Sequence, residues 1–339
     1  MLNDATPAPA DRAGTDGATA RPLRIALMSE AHVHAGSYAH ALSHRDDVEL
    51  IVADPDGYGE ITVGERVGTY EEAFDHGLDA IVVCTTNAGH RDLVLEAARR
   101  GVHVLCEKPL ATTVADAEAM VTACRDAGVV LMTAFPVSFA PQVDALRTAV
   151  RDGRLGRVIG FTGTNNGQLP RGRDWFTRRA ESGGGALVDH VVHVAQILDS
   201  IVGPPATVHA VANRILWGGR TVDDVETGGL VTLTWEDGTV ATIDCSWSMP
   251  EDAPRWGGLT VQAVGTGGTL SIDAFSEHVG GPGQWLPLGA DLDGMLVGAF
   301  LEAVRHGQAV EPTGDAGLRA VRIVEAAQRS VATGEVVRL

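Results

Sequence analysis

From Arg24 onward the chain alternates short apolar runs with stretches of helical spacing. Apolar runs at 24–28, 48–53, 80–84, 102–106 and 129–133 read as strands buried on both faces, as in a parallel sheet covered by helices. The helical stretches between them, at 38–42, 70–76, 90–100 and 112–127, complete a repeated βα pattern. Gly101 and Gly128 stand where two of these helices stop, and Thr113 stands where one starts. After Phe135-Pro136 and one more helix at 142–150 the texture changes. Runs rich in Val, Thr and Ile at 158–164, 208–214, 230–235, 239–247, 259–264 and 269–272 read as strands, with Asp237-Gly238 and Thr266-Gly267-Gly268 as hairpin turns. Helices return at 292–306 and 318–332. The expected architecture is an α/β domain over 22–136, followed by an α+β domain over 137–339 with a mainly antiparallel open sheet. Residues 1–21, rich in Ala, Asp, Thr, Gly and Pro, form an expected disordered tail.

The charge balance narrows the partners. Lys+Arg number 26 against 44 Asp+Glu, a formal net charge of −18 in 339 residues, which repels nucleic acid and anionic membrane surfaces. No apolar run reads as a membrane span, and the first residues lack the pattern of a secretory signal. The expectation is a cytoplasmic protein with no nucleic-acid or membrane partner. The four cysteines, at 84, 106, 124 and 245, form no Cys-x-x-Cys pair and read as reduced core residues.

Chemistry first shows in the turn after the first strand, Ser29-Glu30-Ala31-His32-Val33-His34. Strand, small-residue turn, helix and a second strand ending in Asp54 follow the order of a dinucleotide-binding unit. Ser29 and Ala31 occupy places usually held by glycine. Candidate cofactor contacts here are Ser29, Ala31, His32, Val33 and Asp54. A carboxylate about 4 Å from a ribose 2′-phosphate, at an effective dielectric of 20, is disfavoured by about 4 kcal/mol per charge pair. NAD is therefore favoured over NADP. The alternative is that Asp54 only opens an Asp-Pro-Asp-Gly turn.

Two further stretches carry chemistry. The strand at 102–106 delivers Glu107-Lys108-Pro109, placing a lysine at the strand end where parallel sheets bind ligands. In Gly183-Gly184-Gly185-Ala186-Leu187-Val188-Asp189-His190-Val191-Val192-His193, helical periodicity sets Asp189 and His193 at i and i+4 on one face, with His190 turned elsewhere. A carboxylate beside an imidazole suits a general base, although a structural helix contact gives the same pair. His32, His34, His90, Asp189, His190 and His193 also offer metal ligands, but the His-x-His lies on a turn, and no metal is expected.

Together, Glu107-Lys108-Pro109, the Thr85 to His90 loop and the Gly-Gly-Gly…Asp189…His193 stretch resemble the Gfo/Idh/MocA family of NAD(P)-dependent oxidoreductases. The resemblance covers 24–339. It implies a Rossmann domain joined to a domain whose open sheet forms a homodimer or homotetramer interface. It also implies NAD contacts at Thr85, Thr86, Asn87, His90, Glu107 and Lys108. Lys108 is then the cation beside a substrate hydroxyl, and His193 the base that removes its proton as hydride leaves, with Asp189 as its partner. Asn165, Asn166 and Trp175 are candidate contacts to a small polyhydroxylated substrate such as a sugar, inositol or related polyol. Arg171, Arg173, Arg178 and Arg179 face either an anionic substrate or solvent. The sequence departs from the family pattern at Thr86, at Pro136-Val137-Ser138-Phe139 and at Gln196. Two alternatives keep the fold: transient redox leading to hydrolysis, elimination or epimerisation, and a non-catalytic binding or regulatory role.

Overall fold

The computed structural model describes residues 21–170, 172–217, 225–253, 255–281 and 284–339; the expected tail, apart from Arg21, lies outside the described residues. The first sheet holds β1 (Leu23–Met28), β2 (Val48–Ala53), β3 (Glu65–Val67), β4 (Ala80–Val83), β5 (His103–Glu107) and β6 (Leu131–Ala134). Every pairing in it is parallel, in the order β3-β2-β1-β4-β5-β6. The order reverses beside β1, so the carboxyl ends of β1 and β4 border a cleft.

Alternation along the strands assigns the two faces. Ala26, Met28, Ile51, Ile81, Val83, Val104 and Cys106 pack under α2 (Tyr70–Asp75), α3 (His90–Arg99) and α4 (Val114–Ala127). Ile25, Leu27, Val52, Val82, Leu105 and Met132 pack under α1 (Ala35–Ser43) and α8 (Leu292–His306). The sequence division assigns 292–306 to the C-terminal domain, yet α8 covers the first sheet, because Leu296, Val297, Phe300 and Leu301 complete that face. Thr113 caps α4 by accepting from the Asp116 amide, and Gly128 closes it in the left-handed region at φ 67°.

After α5 (Pro141–Arg151) the chain builds a second sheet from β7 (Val158–Gly167), β8 (Thr207–Asn213), β9 (Gly228–Thr234), β10 (Val240–Ser246), β11 (Gly257–Gly265), β12 (Gly268–Asp273) and β15 (Val337–Arg338). Its order is β12-β11-β7-β10-β9-β8-β15. Only β7 and β10 pair in parallel; the other pairings are antiparallel. A separate hairpin joins β13 (His278–Gly281) to β14 (Gln284–Pro287). One sheet face packs on α5, α7 (Val192–Val202) and α9 (Gly314–Thr333). The segment Arg179–Val202 is long and apolar enough to cross a bilayer, contrary to the sequence reading, but 72% of its most apolar window is buried inside the protein. All four cysteines are free and buried.

Gly183 ends the short α6 (Arg179–Ser182) at φ 81°, and the glycines after it admit Glu226. A Cβ at Gly185 would lie 1.9 Å from the Glu226 carbonyl oxygen, while the Glu226 carboxylate accepts from the Gly185 and Leu187 amides at 2.8 and 3.2 Å. Gly185→Ala is therefore expected to destabilise the protein by about 1–3 kcal/mol through overpacking. Urea denaturation checks this, and an unchanged midpoint would contradict the close approach.

Candidate active site

β5 ends on Glu107, and Lys108 follows at the sheet's carboxyl edge. The Lys108 ammonium donates to Asp189 Oδ1 at 2.7 Å and to the Asp189 carbonyl at 3.2 Å. Both side chains are nearly buried, at 6% and 11% exposure. Burial by itself would raise the Asp189 carboxyl, but the Lys108 charge, with hydrogen bonds from Lys108 and the Trp247 N–H, holds it well below the usual carboxylate range. Trp247 Nε1 donates to Asp189 Oδ2 at 2.9 Å. Trp247 directly follows β10 and gives no sequence signal for this contact.

The predicted Asp189–His193 pair does not form. Residues Leu187–Val191 make a π-helical turn ahead of α7, and its wider i→i+5 spacing takes side chains off the 3.6-residue period. The Asp189 carboxylate turns to Lys108 and Trp247. His190, expected to face elsewhere, enters the same cavity with Nε2 3.6 Å from Asp189 Oδ2. Gly167 makes room for it, since a Cβ there would lie 2.9 Å from His190 Cε1. His193 also lines the cavity, its ring edge-on to Phe135 at 5.9 Å. Its Nδ1 is buried without a hydrogen-bond partner among the described residues. Burial first, then the Lys108 charge, pushes His193 well below its ordinary range, and burial likewise lowers His190. Both imidazoles are thus neutral at pH 7 and able to accept a proton.

The cavity, about 620 Å³, also takes in His32, Val33, His34, Asn165 and Asn166. Asn165 donates to the His190 carbonyl at 3.2 Å, and Asn166 Oδ1 is buried without a partner. Trp175 is not there. It is fully buried, stacked on Phe176, and donates to the Ala31 carbonyl at 3.1 Å, so it packs the first turn instead of a substrate ring. His90 is also fully buried; its Nδ1 meets the Pro109 and Leu110 carbonyls, bracing the Lys108 loop instead of facing the cavity. Asn87 reaches across to the Ser182 carbonyl, and the Thr85 hydroxyl donates to the Thr86 carbonyl. Of the arginine cluster, Arg178 pairs with Glu181, Arg179 with Glu226, and Arg173 lies over the Tyr58 ring. None of these three lines the cavity, and Arg171 lies outside the described residues.

Under the first turn, Glu107 gathers partners the sequence did not reveal. Its Oε1 accepts from Tyr38 at 2.6 Å and meets His34 Nδ1 at 2.9 Å and His32 Nδ1 at 3.3 Å. Its Oε2 accepts from the Lys108 amide at 2.9 Å. Burial lowers His32 to about 3, whereas Glu107 overcomes the burial of His34 and raises it. The ligand atoms of His32, His34 and Glu107 lie within 4.8 Å of one another, a grouping that could hold a metal ion.

Residues 35–135 match an oxidoreductase family with the NAD-binding Rossmann fold, and residues 143–271 match the GFO/IDH/MocA C-terminal domain. D-xylose 1-dehydrogenase (NADP(+)) 2 of Haloferax volcanii is 30% identical over 240 residues, 70% of this chain and 69% of that protein. The chain belongs to the Gfo/Idh/MocA family of oxidoreductases. Another family relative, 1,5-anhydro-D-fructose reductase of Ensifer adhaerens, is 39% identical over 182 residues; the match spans 53% of this chain and about half, 54%, of that protein. Among solved Gfo/Idh/MocA structures, GenD2 from gentamicin A biosynthesis, in complex with NAD, superposes with a TM-score of 0.82 at 26% identity, covering 98% of this chain and 99% of that one. The aldose-aldose oxidoreductase of Caulobacter crescentus, complexed with glycerol, gives 0.76 at 26% identity, covering 94% and 100%.

The N-terminal half is the family's NAD-binding Rossmann fold, and its residues fit a dinucleotide despite the missing glycines. Ser29 takes φ 73°, the left-handed conformation the first turn position demands, and Ala31 is fully buried. Ser29 and Ala31 thus shape the turn, while Val33 and His34 border the cavity at the start of α1, where a helix N-terminus favours phosphate. Asp54 accepts from the Glu30 amide at 3.1 Å and keeps Oδ2 buried without a partner, an acceptor position for a ribose hydroxyl. The Glu30 carboxylate is offset by Arg66 at 2.7 Å and by the Glu60 and Ile61 amides.

Replacing Lys108 by Met strands the buried Asp189 carboxylate and is expected to cost about 3–5 kcal/mol of stability. Asp189→Asn on top of it recovers part of that loss. Equal stability of Lys108→Met and wild type in chemical denaturation would contradict a buried ion pair.

Proposed function

We propose that this protein is an NAD-dependent dehydrogenase or reductase that moves a hydride between nicotinamide and a secondary alcohol or ketone of a small polyhydroxylated substrate, a sugar, inositol or related polyol. The observation that carries the reading is the meeting of a buried ammonium, its carboxylate partner and a neutral imidazole in one cavity, at the tip of β5 in an NAD-binding fold. The relatives' names, a reductase of an anhydro sugar and a xylose dehydrogenase, support it.

His193 takes the proton from the substrate hydroxyl in the direction of oxidation and returns it in reduction. Lys108 stabilises the developing alkoxide, a preorganised charge in a water-poor site. Asp189 fixes the Lys108 ammonium and is itself fixed by Trp247, so it acts on position more than on proton transfer. Asn166 offers its free Oδ1 to a substrate hydroxyl. Bound NAD supplies the hydride acceptor.

The outer face of the second sheet carries exposed Val211, Leu230 and Val240, at 55%, 44% and 46% exposure, and Val211 and Leu230 are direct cross-strand partners. This face is proposed as the contact of a homodimer or homotetramer.

His193→Ala is expected to lower kcat by about 10²-fold or more, the usual loss for a general base, with NAD affinity kept. Unchanged turnover in stopped-flow assays of NADH formation would sink the assignment. Because burial lowers the His193 pKa, the base stays deprotonated below the ordinary histidine range. The acid limb of the kcat profile should therefore lie below pH 6.5; a limb at or above it would contradict a neutral buried base.

A further inference from the structure

We propose that His32, His34 and Glu107 form a binding site for a divalent transition-metal ion of the zinc class, open on one side to the cavity. The inference is independent of the dehydrogenase reading, because what it predicts is binding of the ion. A His-x-His on a turn gives no expectation from sequence that its two rings meet. The fold brings them together: the ring centroids lie 4.7 Å apart, edge to face, and both rings reach Glu107.

The spacing fits the ion. Two ligand atoms, each 2.0–2.1 Å from a tetrahedral zinc ion, lie about 3.3–3.4 Å from one another. His32 Nδ1 stands 3.3 Å from Glu107 Oε1, and His34 Nδ1 stands 2.9 Å from the same oxygen. The first pair is at ligand spacing, and the second reaches it by opening about half an ångström. Two imidazole nitrogens and a carboxylate oxygen are a zinc donor set, and three protein ligands leave a fourth place for water or a ligand oxygen. His32 and His34 line the cavity and Glu107 lies behind them, so that place is on the cavity side.

A fully buried carboxylate calls for a countercharge. Glu107 is 0% exposed, and among the described residues no lysine or arginine side chain bonds to it; Lys108, next in the chain, is turned to Asp189. The countercharge is either a proton on His34 or a metal ion, and His32 separates the two. Its Nδ1 lies 3.3 Å from the His34 amide, which requires an acceptor, and 3.3 Å from Glu107 Oε1, which requires a donor. One ring nitrogen carries a proton or a lone pair, not both. With the lone pair in place, His32 and Glu107 meet acceptor to acceptor. A cation between them satisfies that contact, and a proton on His34 does not. His32 is 2% exposed and its Nε2 has no partner among the described residues, so no other bond commits the ring.

The surroundings are those of a metal site. Tyr38 donates to Glu107 Oε1 at 2.6 Å and the Lys108 amide to Oε2 at 2.9 Å, contacts that orient a ligating carboxylate. Trp175 and Phe176 lie 6.3 and 5.8 Å from the His32 ring and form an apolar shell on that side.

The test is calorimetric titration of the full chain, freed of metal by dialysis against a chelator, with zinc chloride and separately with magnesium chloride. Zinc should bind at one ion per chain, and magnesium, which prefers oxygen ligands, should give no such transition. His32→Ala and His34→Ala should each weaken zinc binding by about 10-fold or more, at least the cost of losing a supporting contact. His40→Ala removes one ring of the exposed His40–His44 pair and should leave the transition unchanged. Absence of one-to-one zinc binding, or binding that survives His34→Ala, overturns the proposal and leaves a proton on His34 as the countercharge. Should the alanine variants fail to fold, the visible spectrum of the wild-type chain with cobalt(II) decides. Bands of a four-coordinate ion support the site, and the spectrum of the hydrated six-coordinate ion overturns it.

Discussion

The buried contact between Lys108 and Asp189 joins the two halves of the molecule at the place where the chemistry converges. Lys108 belongs to the end of β5, and Asp189 to the π-helical turn that opens α7. Removing two charges from water costs several kcal/mol for each ion, and only close geometry with further hydrogen bonds repays it. Both conditions are met here: the ammonium reaches the Asp189 carboxylate and carbonyl, and Trp247 satisfies the second carboxylate oxygen. The pair therefore fixes how the two sheets sit around the cavity. It also sets the charge environment in which His193 and His190 stay neutral.

A second constraint acts on the first βα turn. Glycine is the usual answer where backbone must turn in the left-handed region. Here Ser29 takes that conformation, and its hydroxyl accepts from the Ala31 amide at 3.2 Å, a local bond of the kind that lets a short polar residue stand there. The side chains that replace glycine then need support. His34 and His32 lean on Glu107, which Tyr38 also holds, and Glu30 leans on Arg66. Loss of glycine has been offset by a set of polar contacts beneath the turn.

Departures from the family pattern in the second half are coupled in space. Ser138, in the segment Pro136–Phe139, donates to Gln196 Oε1, and Arg147 donates to both the Ser138 carbonyl and hydroxyl at 2.8 and 3.0 Å. Two changes that look unrelated along the chain thus form one buried contact beside the cavity, whose lining includes Pro136 and Val137.

The sequence by itself determined the elements and their class. Apolar runs, caps such as Thr113 and hairpin turns such as Asp237-Gly238 are local features, so β2, α4 and β10 fall close to where the pattern puts them. Lys108 was legible because Pro109 ends the strand beside it. Side-chain direction in the site was decided only by tertiary structure. An i, i+4 spacing presumes an unbroken α-helix, and the π turn at 187–191 sends Asp189 to Lys108 and brings His190 into the cavity. Trp175 and Trp247 are equally plausible as core or ligand contacts in one dimension. Packing buries the first against Ala31 and turns the second onto Asp189. The return of α8 to the first sheet is likewise a long-range packing choice that no local periodicity encodes.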